Sequence, residues 1–366
     1  MMRVKLEDVC EKDSSNLKLS DVDGKKGDFP VFGASGCIGS IDFYHQERAY
    51  VAVVKDGAGI GRTTINPPKS SVIGTMQYLI PKENIYPQYL YYVVRNMHLE
   101  KYYSGATIPH IYFRDYKKEE FNLVSQEKQK AIVQILGKCE NIIKLRYKEL
   151  QCLDNLIKAR FVELFGTLHD NENGFDIATI EDVCSLIKDG THQTPQYTED
   201  REEGFKFLSS KDVMSQKIDW TDIKYIPSEL HEKLYATIRP QRNDILMSKN
   251  GVNYGVAAVN DTDEVFDIYV SLALLRPKEI INPVFFRCVI NNPETKRQFD
   301  SSIKGIGVPN LHLGEIKKTK IFLPPMELQM EFVAFVEQVD KSKVAIQKSL
   351  AETQLLFDKL MQDYFG

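Results

Sequence analysis

Two long stretches of the chain carry apolar residues at alternating steps of four and three positions. The stripe of the first stretch consists of Ile132, Leu136, Ile143, Leu150, Leu153 and Ile157. The stripe of the second stretch consists of Phe332, Val336, Val339, Ile346, Leu350 and Phe357. This spacing is that of a heptad repeat, and the residues between are rich in Gln, Glu and Lys, which favour helix. The pattern predicts two long helices that end at Gly166 and Gly366.

The two predicted helices belong to an internal repeat. Residues 105–166 reappear at 305–366 with a constant offset and no gap. Upstream the match continues more weakly, as where residues 6–10 (LEDVC) correspond to 180–184 (IEDVC). A register kept over such a length indicates duplication. Each half is therefore a divergent part followed by a preserved helix.

The two apolar stripes predict a coiled coil within the chain. A lone helix with such a stripe is poorly stable in water, whereas two copies can bury their stripes against each other. Because the first helix leads into the second divergent part, we expect an antiparallel pair with the divergent parts at opposite ends. Roughly 39 residues at 1.5 Å each would span about 58 Å.

Three polar residues, Arg146, Lys343 and Thr353, interrupt this seam of apolar positions. Two interpretations stay open for them. Polar seam residues can fix the register and direction of a coiled coil, or they can reach past the seam to solvent.

The divergent parts alternate short Val, Ile, Phe and Tyr runs with Gly-rich turns, which predicts strands at 50–55, 71–80, 244–247 and 270–275. Helices are predicted at 87–101 and 283–299. The predicted fold class is α+β: two pseudo-repeated mixed α/β domains joined by two long helices that form an antiparallel intramolecular coiled coil.

Composition narrows the class of protein. The six cysteines form no C-x-x-C pair, so we expect reduced thiols rather than disulfides or a metal site. No apolar run approaches the roughly 18 residues of a membrane helix, and the charged start is unlike a signal peptide, so a cytoplasmic location is expected. The net charge of −4 neither favours nor opposes nucleic acid, because one face can be basic in an acidic chain.

No catalytic, cofactor or metal centre is apparent in the sequence. Residues 57–64 (GAGIGRTT) imitate a phosphate loop, but the outer glycines are one residue too close and Arg62 replaces the lysine. A tight strand connection is the preferred interpretation. Residues 66–69 (NPPK) lack the aromatic residue of a base-flipping loop and predict a turn. The seven histidines show no zinc spacing.

Over its full length the chain resembles the specificity subunit of type I restriction-modification systems. Residues 104–111 (SGATIPHI) and 304–311 (KGIGVPNL) resemble the most recurrent signature of that family. Residues 324–329 (PPMELQ) resemble its usual helix start, which the first copy departs from by lacking both prolines. The resemblance implies target-recognition domains at 1–122 and 167–322, here called the first and second head, and conserved helical regions at 123–166 and 323–366.

The resemblance also implies a function. The chain would be a non-catalytic subunit of a type I restriction endonuclease and DNA adenine methyltransferase complex, without a cofactor of its own. Each head would read one half of a split target in double-stranded DNA through the major groove. The coiled coil would bind two methyltransferase subunits and recruit restriction-translocase subunits. A rod of about 58 Å would limit the distance between half-site centres to about 17 base pairs.

Polar and basic residues in Gly-marked loops are the candidate DNA contacts, because loops carry such readout more often than core positions. In the first head these are Lys55, Arg62, Thr107, His110 and Arg114. In the second head they are Lys188, Thr191, His192, Gln193, Tyr197, Lys211, Lys249, Asn253, Tyr254 and Lys304. For each one the alternative is an ordinary solvated or turn-forming residue.

Three other functions compete with this interpretation. The same fold would suit a specificity subunit that serves a fused methyltransferase-nuclease. A coiled-coil scaffold whose heads bind protein is a second alternative. A self-sufficient DNA enzyme is the third, and the missing cofactor and nuclease motifs oppose it.

Overall fold

The computed structural model describes residues 2–105, 108–303 and 309–366. The chain divides into two compact units, and each is described by itself. The first unit comprises Met1–Glu149 and Ile346–Gly366, and the second comprises Leu150–Ala345. Each unit thus contains one head together with a portion of both long helices.

The first half of the chain contains nine strands and four α-helices within the described residues. They are β1 (Met2–Lys5), α1 (Leu6–Val9), β2 (Cys10–Ser14), β3 (Phe29–Gly33), β4 (Gly36–Ile41), β5 (Tyr50–Val54), β6 (Thr63–Asn66), β7 (Ser71–Val72), β8 (Met76–Pro81), α2 (Pro87–Asn96), α3 (Phe113–Tyr116), β9 (Glu120–Leu123) and α4 (Gln126–Phe165). Short 3-10 helices lie at Leu19–Asp21 and Leu99–Tyr102.

The second half repeats this inventory with two additional α-helices among its described residues. It contains β10 (Asp176–Thr179), α5 (Ile180–Val183), β11 (Cys184–Asp189), β12 (Phe205–Leu208), β13 (Lys224–Ile226), α6 (Ser228–Tyr235), β14 (Ile245–Ser248), β15 (Ala257–Val259), β16 (Phe266–Ile268), β17 (Leu272–Pro277), α7 (Pro283–Ile290), α8 (Pro293–Ser302), α9 (Leu313–Lys318), β18 (Lys320–Leu323) and α10 (Met326–Phe365). A 3-10 helix lies at Ser210–Val213. The additional helices are α6, between β13 and β14, and α8, which follows α7 where the first half has the 3-10 helix Leu99–Tyr102 after α2.

The sheets of the two heads have the same topology. A four-stranded antiparallel sheet has the order β2-β8-β5-β6 in the first head and β11-β17-β14-β15 in the second. A three-stranded sheet has the order β4-β3-β7 or β13-β12-β16, with one parallel pair in each. The inner strands β5 and β14 are buried at every position because both faces of their sheet are covered.

Each head is joined to its long helix by a short antiparallel strand pair. Strand β1 pairs with β9, which immediately precedes α4, and β10 pairs with β18, which precedes α10. The first strand and the last strand of each head therefore meet at the start of the long helix.

The two predicted long helices are confirmed, and each contains 40 residues. In the first unit Ile132 and Leu136 of α4 share a core with Phe357 and Met361 of α10. In the second unit Phe161 of α4 shares a core with the early α10 residues Phe332 and Val336. In both units the beginning of one helix packs against the end of the other, so the pairing is antiparallel.

The predicted seam is buried or half-buried at every position. Its buried members are Ile132, Leu136, Phe332, Val336, Val339 and Phe357. Its half-buried members are Ile143, Leu150, Leu153, Ile157, Ile346 and Leu350. Of the half-buried members, Ile143 packs against the core of the first unit and Ile157 against that of the second.

The polar seam residues divide between the two interpretations. Lys343 joins the two helices, because its Nζ lies 2.6 Å from Asp154 Oδ1. Thr353 instead donates to the Ser349 carbonyl of its own helix (2.7 Å), and Arg146 pairs with Glu149 one turn later (2.7 Å). Of these three residues, Lys343 is therefore the one whose contact joins the two helices.

Three predicted elements of the heads are divided in the structure. The helix predicted at 87–101 ends at Asn96, because His98 adopts a left-handed backbone (φ 50°) before the 3-10 turn. The helix predicted at 283–299 becomes α7 and α8, since Asn292 caps a new helix that begins at Pro293. The strand predicted at 71–80 becomes β7 and β8, which belong to different sheets.

None of the helices formed by residues 2–105, 108–303 and 309–366 has the length and apolar character needed to span a membrane.

Candidate nucleic-acid interface

A loop that opens with a lysine follows the inner strand of each head. In the first head residues 55–57 (KDG) follow β5, and in the second head residues 249–251 (KNG) follow β14. Gly57 and Gly251 have positive φ values of 93° and 84°. Residues with a Cβ rarely adopt this backbone conformation. Glycine therefore permits the loop to turn away from the sheet at the same place in both heads.

The recurrent signature segment holds this loop through backbone hydrogen bonds. In the first head the Ile111 amide donates to the Lys55 carbonyl (2.9 Å), and the Gly57 amide donates to the Pro109 carbonyl (2.9 Å). In the second head Leu311 donates to Lys249 (2.8 Å), and Gly251 donates to Pro309 (3.0 Å). The preserved segment therefore fixes the same loop backbone in two heads with different side chains.

An aspartate lies between a lysine and a histidine in each head. In the first head His110 Nδ1 lies 2.6 Å from Asp56 Oδ1, and Lys55 Nζ lies 3.8 Å from Asp56 Oδ2. His110 and Lys55 are partly exposed there, with side chains 35% and 29% accessible. The structure thus brings Lys55 and His110 together around a carboxylate that was not among the candidates.

In the second head the aspartate between the lysine and the histidine comes from another position of the repeat, Asp189 at the end of β11. Its Oδ2 lies 2.7 Å from Lys249 Nζ and 3.3 Å from His192 Nε2. Partial burial opposes ionisation of this carboxyl, but the hydrogen bond and charge of Lys249 outweigh burial and lower the pKa of Asp189. Because Lys249 and Asp189 are far apart in the chain, no local sequence pattern indicates the pair.

Tyr112 organises the exposed end of the signature segment in the first head. Its ring stacks beside that of His110 at 6.3 Å and 21°, and the Arg114 guanidinium lies 4.7 Å from the Tyr112 ring centre. Arg114 Nε also lies 3.5 Å from Asp115 Oδ1, so an exposed ion pair and a cation–π contact together hold this arginine. Tyr112 was missed as a candidate, although an aromatic residue between His110 and Arg114 is a pattern that could have identified it from the sequence.

Arg62 lies at the far end of the loop that begins with Lys55. Its Nη1 donates to the Ala34 carbonyl at the turn between β3 and β4 (3.2 Å), and the rest of the residue is exposed. The loop is a β-hairpin connection between β5 and β6. This confirms the interpretation of residues 57–64 as a strand connection.

The loop after β11 displays several polar candidates of the second head. His192 and Gln193 are exposed, and Thr191 Oγ1 accepts from the Gln193 amide (3.2 Å). Lys188, next to the last residue of β11, is exposed and donates to the Thr237 carbonyl (3.3 Å). Asn253, in the loop between β14 and β15, is also exposed. These side chains stay accessible to a ligand of the loop.

Tyr197 and Lys211 form a neighbouring surface. Tyr197 is 49% exposed, packs edge-on against Phe207 and has Lys224 Nζ 6.0 Å from its ring centre. Lys211 is exposed, but its Nζ lies 2.9 Å from Asp212 and 3.3 Å from Asp222. The hydrogen bond to Asp212 is the main reason that the pKa of Lys211 is raised.

Two candidates have their polar groups occupied inside the second head. Lys249 is 4% exposed, with its ammonium bound to Asp189. Tyr254 is 8% exposed and donates to Asp300 (2.5 Å), with Lys296 Nζ 3.3 Å from its ring centre. Both side chains therefore stabilise the loop between β14 and β15 from its buried side. The remaining candidates Thr107 and Lys304 lie outside the described residues.

The arrangement offers hydrogen-bond donors and cations on loops at the ends of inner strands. Such groups suit phosphate oxygens and base edges, which accept hydrogen bonds from Lys, Arg and His. In the part of the chain that the structure describes, no group of three or more His, Cys, Asp and Glu residues is placed to hold a metal ion.

Comparison with known proteins agrees with this architecture. A family model described as the type I restriction modification DNA specificity domain matches residues 1–154 and 172–354. The type I restriction enzyme MjaVIII specificity subunit of Methanocaldococcus jannaschii is 22% identical over 310 residues, covering 79% of this chain and 72% of that protein. The MjaIX specificity subunit of the same organism is 21% identical over 307 residues, covering 77% and 69%.

Two solved structures share the fold. The S subunit of a type I restriction-modification system from M. genitalium aligns with a TM-score of 0.63 and 15% identity, covering 100% of this chain and 96% of that one. A chain from a study of complex assembly and conformational transition of the type I R-M system aligns with a TM-score of 0.54 and 16% identity, covering 99% and 96%. These matches confirm the predicted α+β class with two pseudo-repeated domains and two long helices.

Proposed function

The chain belongs to the family of type I restriction-modification DNA specificity subunits, and we propose that it reads a split target in double-stranded DNA, one half with each head. One observation carries this proposal: the two heads present the same loop backbone with different side chains. Asp56 and His110 of the first head correspond in position to Asn250 and Asn310 of the second. The same loop backbone with different polar side chains is suited to reading two different half-sites.

The exposed loop residues would divide the work of binding. Lysine and arginine contacts to phosphate supply affinity and orientation, whereas donors and acceptors aimed into the major groove distinguish base pairs. We assign the contacts to Lys55, Arg62, His110 and Arg114 in the first head, and to Lys188, Thr191, His192, Gln193, Tyr197, Lys211 and Asn253 in the second. Lys249 and Tyr254 would act indirectly by supporting their loops.

We further propose that the long helices carry two methyltransferase subunits, which supply adenine methylation, and recruit restriction-translocase subunits for cleavage. Large apolar residues outside the seam support a protein contact, since exposed apolar groups on a helix mark binding surfaces when they cluster. In the first unit these are Ile135, Ile142, Leu145, Leu355 and Leu356, and in the second they are Leu156, Val162, Met330 and Val344.

The proposed organisation keeps the boundaries expected from the sequence, with recognition domains at 1–122 and 167–322 and helical regions at 123–166 and 323–366. A helix of 40 residues is about 60 Å long, which corresponds to about 18 base pairs. That length is the upper limit for the distance between half-site centres. The relatives are specificity subunits of type I enzymes, so neither a fused methyltransferase-nuclease partner nor a protein-binding scaffold is favoured.

The test is to map adenine methylation in cells that carry this gene with its cognate methyltransferase, and in cells from which only this gene is deleted. We expect a two-part motif that disappears on deletion. A gel-shift assay with the reconstituted complex should then show binding to a duplex that contains both halves and weaker binding to either half alone. An undivided motif, or a motif that survives deletion, would overturn the proposal.

A further inference from the structure

Each head is attached to its long helix by a buried glutamine at the same position of the repeat. Gln129 is fully buried, accepts from the Tyr86 amide (3.0 Å) and donates to the carbonyls of Asn84 and Val124 (3.0 Å each). Gln329 is also fully buried, accepts from the Asn282 amide (2.9 Å) and donates to the carbonyls of Ile280 (3.2 Å) and Pro324 (2.9 Å). We call these contacts the glutamine attachments.

A second attachment lies about three helical turns, or about 16 Å, further along the same face of each long helix. In the first unit Glu140 lies 2.6 Å from Arg95 Nη1 and accepts from the Tyr92 hydroxyl (2.7 Å). Both partners belong to α2 of the first head. Glu140 thus joins the far end of that head's helix to α4.

The second unit has an acidic residue at the equivalent position. Asp340 of α10 lies 3.6 Å from Nη1 of Arg287, a buried residue of α7 in the second head. The same carboxylate lies 3.6 Å from Lys343 and 3.9 Å from Lys217. This acidic attachment is longer than that of Glu140 and is shared among three cations.

Two separated polar attachments fix the angle of a head more narrowly than one. Between them Ile132 and Leu136 of α4 pack into the core of the first unit. Such apolar packing is non-directional, whereas a directional ion pair about 16 Å from the glutamine restrains the angle of the head. The angle matters for a split target because one helical turn of DNA contains only about 10 base pairs. Adding one base pair therefore moves a half-site by about 3.4 Å and also rotates it about the axis.

We propose that Glu140 and Asp340 are positioning residues that determine the half-site spacing: by bonding an arginine of the head's helix, each sets the angle of its head on the long helix. This inference rests on the proposed reading of a split target. Glu140 should have the larger effect, because its contacts are shorter and are not shared with other cations.

The experiment uses the full chain assembled with its cognate methyltransferase, and duplexes in which the mapped spacer is lengthened or shortened by one or two base pairs. Glu140→Gln keeps the size of the side chain and removes its charge, and Arg95→Gln removes the partner without altering α4. Glu149→Gln is the matched control, because it removes the same charge from α4 but breaks only a pair with Arg146 of the same helix.

We expect the preference for the mapped spacer over its neighbours to fall about fivefold in E140Q and in R95Q, corresponding to about 1 kcal/mol. The double variant should lose less than the sum of the two single variants, since each single variant already breaks the Glu140–Arg95 ion pair. E149Q should keep the native profile. The cost of a single base change within either half-site should be unchanged in all four proteins.

Two results would overturn the inference. One is a uniform loss of methylation over all spacers in E140Q, as expected if Glu140 only stabilises the fold. The other is a native spacer profile in both E140Q and R95Q. The proposed function is tested separately by the unaltered chain, because an absence of any split target there refutes both proposals before a variant is compared.

Discussion

At the scale of single residues, the stability of the second head depends on the partner of one buried lysine. Lys249 is buried, and Asp189 neutralises it at 2.7 Å. Asp189→Asn should therefore destabilise the second unit by about 2 kcal/mol, somewhat less than for a fully buried pair because Asp189 is partly exposed. Asp222→Asn is the matched control, since its pair with Lys211 is exposed and should contribute little. Urea unfolding measures both.

The same pair predicts a dependence on pH. The pKa of Asp189 is lowered in the folded state because the hydrogen bond and charge of Lys249 outweigh burial. A lowered pKa contributes stability above the unfolded value of about 3.9, and this contribution is lost as pH falls through the folded value. The stability difference between the native chain and D189N should stay constant from about pH 7 to 5 and shrink below about pH 4. A difference that grows on acidification would contradict the assignment.

Arg114 is the clearest test of a phosphate contact in the first head. Its guanidinium lies over the Tyr112 ring, and its Nε lies 3.5 Å from Asp115 Oδ1 in an exposed ion pair that a phosphate could replace. Arg114→Ala should weaken DNA binding by the assembled complex and reduce the slope of log affinity against log salt by about 0.9. Arg3→Ala, on β1 outside the loop, should leave the slope unchanged. An unchanged slope in R114A would remove Arg114 from the set of phosphate contacts.

At the scale of elements, the glutamine attachments should be the most sensitive polar positions of the long helices. Gln129→Leu removes the partner of the Tyr86 amide and of two carbonyls, all in partly buried surroundings, which should cost about 2 kcal/mol. Gln134→Leu is the control, because Gln134 is exposed on the same helix. Urea unfolding should show a lower midpoint for Q129L alone. Equal midpoints would mean that water replaces the lost hydrogen bonds.

The elements also show why some predictions succeed. The seam was predictable because the heptad pattern extends over a long stretch of sequence. Each of its residues is buried or half-buried in the structure. Periodicity could not predict the positions at which the tertiary structure divides one predicted helix or strand into two elements. Residues 283–299 read as one helix, yet Asn292 and Pro293 start a second one. Residues 71–80 read as one strand, yet the turn at Gly74 sends β7 and β8 into different sheets.

The candidate site was predictable to a similar extent. Loop composition identified His110, Arg114 and His192, which the structure leaves accessible. Composition could not distinguish them from Lys249, because burial of that ammonium depends on Asp189 from a strand distant in the chain. Exposed and buried lysines look alike in sequence when the partner is not local.

At the scale of the whole molecule, the proposed spacing predicts the effect of changing helix length. Seven residues inserted into α4 after Glu149 and into α10 after Ala345 preserve the phase of the seam and lengthen each helix by about 10 Å. If the helices set the distance between half-sites, the mapped motif should keep both halves and gain a spacer longer by up to about three base pairs.

The same insertion tests whether orientation counts as well as length. Three added base pairs rotate a half-site by nearly a third of a turn of the duplex, whereas an in-phase heptad rotates the helix surface far less. Methylation at the longer spacer should therefore be slower than native methylation at the original one. Adding E140Q to the insertion should speed it, because a head freed from its second attachment can follow the rotated site. If the combined variant is no faster, helix length alone governs the spacing.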